Sequence, residues 1–387
     1  MKDKAERVTF GKGNDQLLYF TTTSLDEGDE SLWFISDRDG SPNVYCQDLK
    51  TGACAALTSN RNGRQWQYQG FGGEREKGLA VWSMALDDKK KMLYTIQDNQ
   101  ILAVDANGKQ KVLAEIDAGQ TTAFIDVSSC GNWLCVPTTD ERALLRPSED
   151  GNPVGAPRDI DKRCQDEGLC SFLDVYHTGT GKRELHLCVP RCWITHVQFH
   201  PMDPSRILYN HEWTVGSDGN RRMWLWDGTR HHCLRPQNKS CSQKDWISHE
   251  VWSPDGKSLM YHGAFFEGAA LIGHMDPHSF WRKEIALPQG WHRYGHFQIH
   301  PTRGDLLVSD GYYQTDDDEP GKGRWLSLQK VNWQNCEIEW IPICRHESSW
   351  KVQDDHPHPI FNHAGNEVYF TGGTPEGGRA VYRVAVS

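Results

Sequence analysis

Short apolar runs alternate with polar turns rich in Gly, Asp, Asn and Pro from one end of this chain to the other. Runs of that length with period-two alternation, bounded by turn residues, read as β-strands. Helical periodicity is nearly absent. One unit recurs: strand, polar turn, strand, loop, strand, turn, strand. It is clearest at the start, with strands over residues 17–23, 32–36, 44–49 and 53–57 and turns at 26–30 and 50–52. The turn between first and second strands recurs near Gly28, Lys89, Gly131, Asp203, Gly256, Gly304 and Gly365. Four-stranded units repeated about 40 to 75 residues apart are the signature of a β-propeller. The pattern therefore predicts an all-β fold, a seven-bladed β-propeller forming one domain over residues 1–387. The uneven spacing predicts loop insertions at 142–168 and 314–323. The last unit supplies only three strands, at 358–362, 367–371 and 380–386. A three-stranded blade would leave an open edge, and residues 8–10 precede the first complete unit. They are predicted to pair with 380–386 and close the ring. Two stacked β-sandwiches would not explain a spare strand at one end matching a missing one at the other.

In four consecutive units the innermost strand opens with a related string: His196-Val-Gln-Phe, His249-Glu-Val-Trp, His296-Phe-Gln-Ile and His358-Pro-Ile-Phe. Innermost strands line a propeller's channel, so these four His are expected to converge at its mouth. His356 stands two residues before His358, and Pro357 favours an extended backbone at His356, so the two should share a side. Gln353 lies just upstream. Two His from one strand start, one from the neighbouring blade and a nearby carboxamide make a candidate transition-metal site. Imidazole suits Mn, Fe, Ni, Cu or Zn, and an amide oxygen pulls toward Mn. The mixed set argues against calcium, which prefers oxygen alone. Against this stands the ordinary reading of strand His as structural residues inherited by repeats. His211 and Arg222, in the blade between His196 and His249, can reach the same mouth, although a loop Arg is as readily a solvated charge.

Composition narrows the choice of ligand. The chain has 42 basic and 52 acidic residues, a net charge of −10, which argues against a nucleic-acid binder. An anionic ligand would need a local cluster or a metal. The acidic run 316–319 lacks the spaced oxygens of a calcium loop. No apolar run approaches a membrane span, and the first residues form no signal peptide. No GxSxG, P-loop or GxGxxG string occurs, so serine hydrolase and nucleotide chemistry are unsupported. The 12 cysteines fall in neighbouring pairs, Cys46/Cys54, Cys130/Cys135, Cys164/Cys170, Cys188/Cys192, Cys233/Cys241 and Cys336/Cys344. Bridged, they would mark a periplasmic or secreted protein; as thiols, which a chain of this length does not need to staple, they fit the cytoplasm.

Residues 348–352, Ser-Ser-Trp-Lys-Val, followed by Gln353-Asp-Asp-His356-Pro-His358-Pro, resemble the C-terminal signature of the oligogalacturonate lyases, seven-bladed propeller enzymes of pectin breakdown. Three further strings are similar and in the same order: His211-Glu212 with Arg222-Met-Trp224, then His249-Glu-Val-Trp-Ser-Pro-Asp-Gly256, then Tyr294-Gly-His296 leading to Ser309-Asp-Gly311. The resemblance implies a divalent metal, commonly manganese, held by His296, Gln353, His356 and His358. It places the proton-abstracting base on His249 and a functional Arg on Arg222, with His211 and His196 as substrate-binding candidates. The implied substrates are short galacturonides such as di- and trigalacturonate, with neither nucleic acid nor membrane as a partner. Two other readings remain at this stage: a propeller that binds glycans or proteins without catalysis, and a metal-dependent lyase of a different uronate.

Overall fold

A computed structural model describes residues 5–65, 70–71, 77–144, 157–212, 222–236, 245–265, 268–287, 295–311, 324–349 and 352–386. The expected all-β fold is present as seven antiparallel sheets, the seven blades of a β-propeller. The chain divides into two compact units, Met1–Leu57 with Ser248–Ser387, and Thr58–Ile247.

The first unit carries four blades. Blade one is Asp15–Leu17, Ser31–Ser36, Asn43–Asp48 and Cys54–Ala56. Blade five opens with Trp246–Trp252, blade six with Phe297–His300 and blade seven with Ile360–Phe361. The second unit carries blades two to four, opening with Leu79–Asp87, Asp126–Val127 and Val197–His200. Inner strands are covered on both faces, so they read as near-continuous apolar runs; Leu79–Asp87, the innermost strand of blade two, is buried throughout. Fourth strands are not, and Arg183–Pro190 exposes most of its residues. Neighbouring blades share cores. Leu306, Val308 and Leu328 of blade six pack with Phe361, Val368 and Phe370 of blade seven.

Blade seven is completed from the N-terminus, two residues earlier than expected. Glu6–Arg7 pairs with Arg379–Ala385, Glu6 opposite Arg383 and Arg7 opposite Tyr382. Val8 and Thr9 still donate their amides to the Val381 carbonyl, at 2.8 and 3.3 Å. Phe10 turns away and is 67% exposed, because Gly11 and Gly13 carry the chain off at positive φ. Other boundaries also moved. The first strand of blade one is Asp15–Leu17 rather than 17–23, and residues 18–24 leave the sheet. Asp203 and Gly304 lie inside their second strands. The 142–168 insertion contains a helix, Pro157–Glu167, whose apolar signal is only Ile160 and Cys164. The 314–323 insertion and the acidic run 316–319 lie outside the described residues.

Cys54, Cys130, Cys135, Cys170, Cys188, Cys336 and Cys344 carry free thiols. Five of the six neighbouring pairs are therefore unbridged, and the sixth includes Cys241, outside the described residues. Strand geometry explains one case: Cys336 and Cys344 flank most of the extended run Glu337–Arg345, about 26 Å of chain, far beyond disulfide reach. Among the described residues no helix is long and apolar enough to cross a membrane.

A repeated stitch joins innermost strands. The Phe361 amide donates to Gln298 Oε1 at 2.6 Å, and the Phe199 amide donates to Asp126 Oδ2 at 2.6 Å. One blade uses an amide for this task and the other an acid. Burial pushes the Asp126 carboxyl up to about 7, against the pull of two backbone amides. Between about pH 4 and 7 the folded chain keeps a proton that the unfolded chain has lost, so stability falls as pH rises through that window. Asp126→Asn keeps the acceptor and removes the charge. We expect it to raise stability at pH 8 by about 2 kcal/mol, half of what the full shift would carry, and to change little at pH 4. Melting curves of both proteins across this range check it; equal pH profiles would count against a buried acid.

Candidate active site

His296 is the last residue before the innermost strand of blade six, and its position is fixed by Asp310 across the hairpin. The His296 amide donates to Asp310 Oδ1 at 2.6 Å, and its Nδ1 lies 3.1 Å from Asp310 Oδ2. Asp310 is fully buried. Burial alone would raise its carboxyl, but the neighbouring His296 imidazole outweighs that and holds it below the usual range. A carboxylate can only accept, so His296 carries its proton on Nδ1 and presents a lone pair on Nε2. Gly295 makes this possible: a Cβ there would fall 2.0 Å from Asp310 Oδ1. Asp310 Oδ2 also accepts the amide of His358 at 3.2 Å.

His356 ends a short 3-10 turn, Gln353–Asp355, and is extended as Pro357 predicts, with φ −68° and ψ 139°. His358 is not in a strand, which begins only at Ile360; its φ is +45°. One ring nitrogen from each of His296, His356 and His358 lies within 4.8 Å of the others. Gln353 Nε2 lies 3.3 Å from His296 Nε2 and 3.2 Å from His358 Nε2. A half-turn of the carboxamide would aim its oxygen there instead. Burial, reinforced by the neighbouring His296 imidazole, pushes His356 down to about 4 and His358 well below the usual imidazole value. Both are neutral near pH 7, the form a metal needs. Three imidazoles, one amide and a buried carboxylate behind one imidazole fit a divalent transition metal.

His249 stands beside this cluster, its ring centroid 4.5 Å from that of His296. It lies in the middle of Trp246–Trp252 rather than at its start, with φ +53°. A left-handed backbone at a residue with a side chain costs about 1 kcal/mol or more, and such strain gathers at functional sites. Its Nδ1 is 2.8 Å from Nε2 of the buried His262 and 3.3 Å from the Gly295 carbonyl. Tyr19 and Phe20, from the segment that leaves blade one, floor the site. Tyr19 lies edge-on to His358 at 5.2 Å, and Phe20 edge-on to His249 at 5.3 Å. Both are almost wholly buried, so the imidazoles have a dry side.

The second unit holds His196, His211 and Arg222. His196 stacks on Phe124 at 4.4 Å, and His211 on Trp224 at 4.8 Å. Arg222 is buried and donates from Nη1 to Glu212 Oε1 at 2.8 Å. Of the expected site residues, His249, His296, His356, His358 and Gln353 come together in the first unit. Arg221, Trp291–Tyr294, Trp350 and Lys351 lie outside the described residues.

A common socket underlies these His. The second strand of each hairpin places one polar residue behind the imidazole: Asn210 behind His196, His262 behind His249 and Asp310 behind His296. Sequence reading missed these partners and the aromatic floor. The available signal was a polar residue 13 or 14 positions after each His, within or at the end of an apolar run.

The oligogalacturonate lyase family model matches residues 12–387. The chain belongs to this family. Membership makes the protein a carbon–oxygen lyase and implies an oligogalacturonide as its substrate. Among solved structures, an oligogalacturonate lyase in complex with manganese is 21% identical, with a TM-score of 0.77 over 100% of this chain and 95% of that one. The oligogalacturonate lyase of Vibrio parahaemolyticus is also 21% identical, with a TM-score of 0.76 over 100% and 94%. At that identity the likeness establishes the propeller fold. The acylaminoacyl peptidase of Pyrococcus horikoshii, 12% identical with a TM-score of 0.59, covers 98% of this chain and 53% of its own. No curated protein sequence matches.

Proposed function

We propose that this lyase cleaves short galacturonides by β-elimination, with His249 as the base, manganese as the metal and Arg222 binding the substrate carboxylate. The observation that carries the reading is the convergence of His296, His356, His358 and Gln353 beside His249. A uronate carries a proton on C5, next to the C6 carboxylate, and the leaving sugar departs from C4 and takes O4 with it. Bound at the His cluster, the cation supplies Lewis-acid stabilisation of the negative charge that builds on the carboxylate. The ligand set contains no carboxylate, so the site keeps positive charge for an anionic substrate on an acidic protein.

The Gly295 carbonyl can only accept a hydrogen bond, which favours the His249 tautomer with hydrogen on Nδ1. The Nε2 lone pair then takes the C5 proton, and an ordinary imidazole is suited to this near neutral pH. His262 shares the Nδ1 hydrogen and holds the ring. The Tyr19 and Phe20 floor limits water on that side of the base. Arg222 is assigned to the carboxylate from its chemistry, since a guanidinium offers two parallel donors to such a group. Expulsion of O4, which takes a proton from solvent as it leaves, gives a 4,5-unsaturated uronate that opens to a keto-deoxyuronate. Manganese is favoured over softer ions because a carboxamide oxygen joins the imidazoles, and one solved relative carries manganese. The thiol state of the described cysteines supports a cytoplasmic location.

The test is incubation with di- and trigalacturonate, then chelator, then added manganese, followed by product masses. Cleavage without addition of water, lost with chelator and restored by manganese, is the expected result. Bound metal with no cleavage would redirect the reading to another uronate. No metal and no cleavage would leave a binding propeller.

A further inference from the structure

In blade four a carboxylate is buried among polar side chains. Glu212 is 7% exposed and follows the second strand, Asp203–Asn210. The turn before the innermost strand is held by its neighbour Asn210, whose Oδ1 accepts the amides of Thr195 at 3.0 Å and His196 at 2.8 Å. Among the described residues the Glu212 carboxylate receives side chains alone. Thr195 Oγ1 donates at 2.5 Å, Asn210 Nδ2 at 2.7 Å and Arg222 Nη1 at 2.8 Å, and His196 Nδ1 lies 3.4 Å away. Thr195 Oγ1 is also 2.7 Å from His196 Nδ1. Because the threonine hydroxyl donates to Glu212, it accepts from His196 Nδ1–H, and a chain runs from His196 through Thr195 to Glu212. Arg222, the residue before the third strand Met223–Trp226, meets the same carboxylate.

A buried ion pair is a poor way to gain stability, since desolvation offsets most of the attraction. What such a pair does well is fix a planar guanidinium in one orientation. We propose that Glu212 is the positioning residue for the lyase reaction that orients Arg222 directly and His196 through Thr195. This rests on the assignment of Arg222 to the substrate carboxylate. Glu212 itself touches no reacting atom. Its partners are cations and donors, so it also keeps Arg222 from swinging onto another acid.

The test is a double-mutant cycle on the metal-loaded enzyme with trigalacturonate, using Glu212→Gln, Arg222→Ala and both together. Gln keeps the shape and one acceptor oxygen but loses the charge. Glu212→Gln alone is expected to lower kcat/KM about 10- to 100-fold, with melting temperature and metal content unchanged. In the Arg222→Ala background the same change should cost less than twofold, because the group it positions is gone. Wild-type kcat/KM in Glu212→Gln overturns the proposal. So does an equal loss in both backgrounds, which would mark Glu212 as a structural residue or one acting apart from Arg222. Wild-type activity in Arg222→Ala would instead overturn the assignment of Arg222, and the two failures are therefore distinct.

Discussion

Replacing His249 with Asn is expected to lower kcat about 10²- to 10⁴-fold, the range of a general base, and to leave metal content and melting temperature unchanged. Asn is the informative substitution because His249 sits at φ +53°. Asn tolerates that backbone better than most residues with a side chain. Its amide can still donate toward the Gly295 carbonyl, so His262 and Asp310 keep their surroundings. What it cannot do is take a proton near neutral pH. Alanine in the same place should be equally inactive but adds a cavity beside Phe20. Turnover at the wild-type rate in either variant would reject His249 as the base.

Replacing His358 with Ala should remove stoichiometric metal and, with it, turnover. His358 is 2% exposed, and its amide is held by Asp310, so some loss of stability is also expected. Asp310→Asn separates the two effects. It keeps the volume and an acceptor oxygen but weakens the grip on His296 Nδ1. Metal affinity should fall about 10- to 100-fold, the usual effect of changing a residue behind a ligating imidazole. Metal content after dialysis against graded chelator measures both variants. Full metal retention in His358→Ala would exclude it as a ligand.

The propeller was legible because its strands are short and its turns are written in Gly, Asp and Asn. The metal-site candidates were legible because three lie within six residues and the fourth opens a repeated string. Other features depend on information that a single sequence does not carry. Tyr19 and Phe20 lie more than 200 residues from the His they support, and their apolar run looks like ordinary strand. Asp310 and His262 are recognisable only once the hairpin register sets them behind His296 and His249. Helix Pro157–Glu167 marks its inner face with only Ile160 and Cys164, too few to read as a period. The closing strand slipped because Glu6 finds Arg383, with two contacts at 3.0 Å, while Gly11 turns the chain away.

The socket in blades four, five and six has an evolutionary consequence. One His and one polar residue behind it, 13 or 14 positions later, recur while the surrounding hairpin stays the same. Asp310 holds the ring of His296, His262 meets the ring of His249 and Asn210 accepts the amide of His196. Duplicated blades can therefore diverge in chemistry by recoding a single position, with no new loop and no new fold. A propeller of this kind is a row of interchangeable holders, and an altered substrate or metal preference is within reach of single substitutions.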